Sequence, residues 1–223
     1  MSLSIIDRFH PQRRDALQAA VDAGHVRVLD ELALLEPEQI RPLAIFSLLL
    51  FGIGGIFFVV LNFWAYIWRT GQHSGTINGG QILLWLLING ISYILVLPLH
   101  ELLHGAAFIL WGGKPYYGAK LPMALFCSAK NQLFPRNYYF VIGLAPLVVI
   151  SLAGIIFTLL APTLSPYILF ATVGNVSGAA GDLWVVHRLN SLPASTFVED
   201  QETGYRVWEV TLTSEHATIK PDL

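Results

Sequence analysis

The chain has 223 residues, 54% of them hydrophobic and only 13% charged, where a soluble domain carries about a quarter charged residues. That balance predicts an all-α integral membrane protein, and a formal net charge of -2 leaves no basic patch for nucleic acid. The single cysteine, Cys127, excludes both a disulfide framework and a cysteine-built zinc site.

Residues 1–40 read as a small cytosolic segment. Pro11 to Ala23 has helical spacing (Leu17, Ala20, Val21), Gly24 stops it, and His25 to Leu29 alternates like a short strand. Asp30, Glu31, Glu36 and Glu38 are expected on a solvated face, and His10 and His25 at the surface. No cleavable signal fits Met1 to Glu38, so the first span is expected to direct insertion.

That first span runs from Pro42 to about Ile67, with Trp64, Tyr66 and Trp68 as interfacial aromatics at its far end. A polar loop from Arg69 to Gly79 leads to a second apolar run, Ile82 to Trp111, in which Pro98 is expected to produce a kink. Gly112 to Arg136 is too polar to span. Its Tyr116, Tyr117, Leu121, Met123, Leu125 and Phe126, broken by Gly118 and Pro122, suggest two short strands or a re-entrant hairpin. Tyr138 to Leu160, bent at Pro146, makes a third span, and Tyr167 to Val186 a fourth, after a turn at Pro162 to Pro166. Beyond it, Ser195 to Thr213 alternates around Asp200-Gln201-Glu202-Thr203-Gly204 as a hairpin would. The expected organisation is a segment 1–40, a four-helix membrane domain 41–190 and a tail 191–223.

Twelve of the 13 Lys and Arg residues lie in the stretch before Pro42, the 112–136 loop and the tail after Val186, and only Arg69 lies in the other two loops. By the positive-inside rule both termini are cytosolic, and the second and fourth spans then run in the same direction. The expected location is a plasma membrane, that of a prokaryote.

The second span contains His100-Glu101-Leu102-Leu103-His104, an H-E-x-x-H string. On a helix, residues four apart share a face, so His100 and His104 can direct two imidazoles at one metal ion while Glu101 stands beside the open position. Zinc held by three protein groups brings the pKa of a bound water to about 7, and a neighbouring carboxylate can take its proton. Three ionisable groups within five residues of an apolar span are costly unless they satisfy one another, which favours a site over a chance string.

Between Pro42 and Arg188 the only acidic residues are Glu101 and Asp182. Asp182 is therefore the candidate third ligand, with Gly174, Gly178 and Gly181 allowing close helix approach and Asn175 on roughly the same face. The plainer alternative pairs Asp182 with Arg188 or His187 near the interface. Glu199, Glu202 and Glu209 lie in the tail, where no helical run would hold them at the motif.

A membrane-embedded H-E-x-x-H followed by a later helix with Asn, a small residue or Pro, and then Asp resembles the site-2 protease group of intramembrane zinc peptidases. The nearer likeness, over about residues 80–190, is to a family of small multipass proteins described as putative zincin peptidase. The resemblance implies His100, His104 and Asp182 as zinc ligands, Glu101 as base and Asn175 as a substrate or oxyanion contact. Site-2 proteases usually carry N-x-x-P and an Asp-Gly pair, whereas here Gly178 replaces the Pro and Leu183 follows Asp182.

The expected function is that of a zinc metalloendopeptidase cleaving a membrane protein or peptide in or near the cytosolic leaflet of the bilayer. The 112–136 hairpin would receive the substrate as an added strand. The alternative is a non-catalytic metal-binding scaffold or transporter. A transporter would line both halves of the membrane with polar groups, where the outer half offers only Gln81, Asn89 and Ser92. A lipid hydrolase or desaturase is weaker, since di-iron chemistry needs more histidines than this region holds.

Overall fold

The computed structural model describes residues 3–73, 78–120 and 124–211. Ser74 to Ile77 of the first polar loop, Leu121 to Met123 of the 112–136 segment and the Thr213 end of the tail lie outside the described residues. Six α-helices are described: α1 (Pro11–Asp22), α2 (Pro37–Thr70), α3 (Gly79–Leu110), α4 (Arg136–Leu160), α5 (Leu169–Gly178) and α6 (Ala180–Asn190). Four stretches are long and apolar enough to cross a membrane, namely α2, α3, α4 and the run Ser165–Asn190 that includes α5 and α6.

The all-α expectation needs correction, because among the described residues seven strands form two sheets. These are β1 (Ser4–Ile5), β2 (Val26–Ala33), β3 (Tyr116–Lys120), β4 (Ala124–Ser128), β5 (Gln132–Pro135), β6 (Phe197–Asp200) and β7 (Gly204–Val210). One sheet has the order β1-β5-β6-β7-β2 and the other is the antiparallel pair β3-β4. The two hairpins and the strand after Gly24 were expected as local features. Their union was not, because backbone pairing between segments more than a hundred residues apart leaves no local pattern.

The chain divides into two compact units, residues 41–103 with 144–182, and residues 1–40 with 104–143 and 183–223. The divisions fall inside α2, α3, α4 and α6.

In the first unit, helices present exposed apolar side chains such as Leu48, Ile53, Ile56, Leu83 and Ile94. Such a surface is stable in hydrocarbon, where each helix satisfies its own backbone. Where helices touch, small residues set the approach: a Cβ on Gly174 would come within 2.5 Å of the Tyr93 ring, and one on Gly154 within 2.5 Å of Thr172. Gly178, expected to serve the same purpose, has nothing within 4 Å of its Cβ position. It instead ends α5, since the regular helix is interrupted at Ala179 and resumes at Ala180. Asn89, fully buried, donates through Nδ2 to the carbonyls of Trp85 and Pro166 (3.0 Å each) and accepts the Phe170 N–H at 2.9 Å. It thus supplies an acceptor to an amide in the first turn of α5 that the helix cannot serve.

In the second unit, Ile5, Leu17, Val21, Leu133 and Phe197 form a core between α1 and the five-stranded sheet. The acidic residues of β2 are not simply solvated as expected. Asp30 accepts the Tyr205 hydroxyl at 2.6 Å and pairs with Arg188, and Glu31 pairs with Arg206 at 2.8 Å, so β2 is tied to its neighbour β7 by side chains as well as by its ladder. The β2-β7 ladder shifts register between Val28 and Asp30, which places Leu29 in a bulge.

Candidate metal centre

His100, Glu101 and His104 sit on α3 two turns before its end, after Pro98, which the helix accommodates internally. Asp182 lies in the first turn of α6, just past the interruption at Ala179. One ligand atom each from His100, His104 and Asp182 lies within 4.8 Å of the other two. His100 Nε2 stands 3.1 Å from Asp182 Oδ2. Two ligands about 2.1 Å from a tetrahedral zinc stand about 3.4 Å apart, so two imidazoles and a carboxylate in this array fit a zinc ion with small side-chain adjustment.

Both imidazoles are held from behind. The Nδ1–H of His104 donates to the carbonyl of Ile142 at 2.9 Å, which fixes the tautomer and leaves Nε2 for a metal. That carbonyl is available for a reason legible in the chain: its helical partner would be the amide of residue 146, and Pro146 has none. His100 Nδ1 donates to Asn175 Oδ1 at 3.0 Å, while Asn175 Nδ2 points to the Pro146 carbonyl at a long 3.5 Å. Asn175, expected as a substrate or oxyanion contact, is buried at 2% exposure and stands behind His100.

Several of the groups weighed against Asp182 or as its partner have contacts of their own. Arg188 pairs with Asp30, and the tail glutamates have their own contacts. Glu199 accepts the Asn131 amide and the Trp208 indole N–H, Glu202 engages Tyr116 and Lys120, and Glu209 pairs with Arg27. His10 is at the surface but not idle, since its Nδ1 lies 3.0 Å from the buried Asp7 carboxylate.

In the second unit, burial pushes the Asp200 carboxyl above the usual range, against the opposing effect of hydrogen bonds from Ser128 and Tyr139. Glu202, at the turn between β6 and β7, is held below the usual range by its hydrogen bonds to Lys120 and Tyr116. Those contacts clamp β3 against the turn.

Residues that the sequence did not single out surround the motif. The Ile142 carbonyl was signalled only by the proline four residues later. Gly105, directly after His104, admits the side chain of Tyr117, because a Cβ there would overlap the phenol oxygen and stand 2.8 Å from Cζ.

Neither the curated proteins nor the solved structures contain a match to this chain. Residues 93–197, which include His100, Glu101, His104, Asn175 and Asp182, match the model of a family described as putative zincin peptidase.

Proposed function

We propose that the protein is a membrane-embedded zinc metalloendopeptidase that hydrolyses peptide bonds in or near the cytosolic leaflet, with both termini in the cytosol. The observation that carries this reading is the convergence of His100, His104 and Asp182 beside Glu101, within the segment that matches a zincin family. Zinc bound there would polarise a substrate carbonyl and make a bound water acidic enough to lose its proton near neutral pH. His100, His104 and Asp182 would hold the ion. Glu101, one residue from His100 on α3, would serve as the proton acceptor and donor of the hydrolysis. Asn175 and the Ile142 carbonyl keep the imidazoles oriented, each by a hydrogen bond to Nδ1.

Peptide backbone must be extended to be cleaved, and β3 and β4 form a two-stranded sheet whose outer edges are suited to an added strand. A transport pathway is less well supported, because Asn89, the most polar buried residue of the expected outer half, is committed to the clamp on Pro166 and Phe170.

The test is Glu101→Gln in the full-length protein, compared with the parent by proteomics of the host membrane. The variant should keep its fold and its zinc while membrane-protein fragments present with the parent disappear. A fragment pattern identical in parent and variant would leave a metal-binding scaffold as the better description.

A further inference from the structure

Strand β3 has two faces. Tyr116 and Lys120 lie on one, where the Tyr116 hydroxyl donates to Glu202 Oε1 at 3.0 Å and Lys120 Nζ pairs with Glu202 Oε2 at 2.9 Å. Tyr117 therefore lies on the other, and its phenol rests on α3 at Gly105, where any side chain would collide with it. Gly105 follows His104 directly and is four residues beyond Glu101, so it continues the helical stripe that carries Glu101. The phenol hydroxyl thus rests against α3 at the residue directly after His104, in a position that only glycine at 105 allows. The residue is about half exposed, at 49%.

Resting on the peptidase reading above, we infer that Tyr117 is a further substrate-binding residue, whose O–H donates a hydrogen bond to an oxygen of the ligand at the metal. With a peptide substrate that oxygen is the scissile carbonyl oxygen, on which negative charge builds during attack. A donor fixed before the reaction is worth most at that point, because nothing has to reorganise as the charge develops. Two contacts fix this one: the fit against Gly105, and the Glu202 clamp on the opposite face of the same strand.

The experiment uses the full-length protein loaded with cobalt(II) in detergent and titrated with acetohydroxamate, following the visible spectrum of the metal. The parent should bind the hydroxamate, and Tyr117→Phe should keep its cobalt and its melting temperature but bind about tenfold or more weakly. Gly105→Ala, which displaces the phenol without altering it, should weaken binding as well. It decides the matter if Tyr117→Phe fails to fold. Equal hydroxamate affinity in parent and Tyr117→Phe overturns the inference and leaves the peptidase reading intact, as does loss of cobalt from Tyr117→Phe, which would make the role structural. A cobalt-loaded parent that takes up no hydroxamate has no open metal position, and overturns the peptidase reading together with the inference.

Discussion

The carbonyl of Ile142 accepts a hydrogen bond from His104 because residue 146, which would otherwise satisfy it within α4, is proline. A defect in one helix thereby becomes the support for a metal ligand on another. Pro146→Ala should restore the helical bond and set it in competition with His104. The expected result is α4 as stable as before or more so, with zinc affinity reduced about tenfold, the size of effect typical for partners behind a metal ligand. Competition with a chelator at fixed zinc measures this directly, and unchanged affinity would show that the Ile142 contact does not orient the imidazole.

Zinc stoichiometry tests the three-ligand set. The parent should bind about one zinc per chain, and a His100→Ala, His104→Ala double variant almost none. Asp182→Ala should lower affinity by more than about a hundredfold, with Asp182→Asn intermediate, because the amide keeps the size of the side chain and loses its charge. Arg188→Ala should leave zinc untouched, since Arg188 is engaged with Asp30. Elemental analysis of the purified variants gives the answer, and full zinc content in Asp182→Ala would exclude the aspartate as a ligand.

Asn89 makes a separable prediction about the fold. Asn89→Leu removes the acceptor of the Phe170 amide, whereas the Pro166 carbonyl keeps the Trp85 indole N–H as donor and the Trp85 carbonyl its own helical amide. The cost should be on the order of 2 kcal/mol, read as a lower melting temperature in detergent with zinc stoichiometry preserved.

The clamp on β3 should respond to acid. The carboxyl of Glu202 is held below its ordinary value of 4.5 by Lys120 and Tyr116, so its stabilising contribution is present above pH 4.5 and is lost as pH falls through the lowered value. Hydrogen-exchange protection of the β3 amides should fall over that acidic range in the parent. Glu202→Gln should already show reduced protection at neutral pH and little further change. A parent and variant with the same protection at pH 7 would mean that the ladder with β4 alone holds the strand.

Much of this protein was written in local sequence. Spans announce themselves because apolar runs of sufficient length have one stable solution in a bilayer, and the four found here are α2, α3, α4 and the Ser165–Asn190 run. The pairing of His100 with His104 is equally local, because helical geometry alone places residues four apart on one face. Asp182 could be nominated only because ionisable residues are so scarce in the spans, and it took the tertiary structure to set its carboxylate 3.1 Å from His100. Neither the interruption between α5 and α6, where the sequence suggested Gly178 for helix packing, nor Asn175's place behind His100 was legible, since an amide can serve a substrate or a neighbouring side chain equally well. The five-stranded sheet was the least legible element. Its members β1, β2, β5, β6 and β7 are short, and a strand's partners are chosen by backbone groups that every residue possesses, so only the folded chain decided that the two ends of the sequence share one sheet.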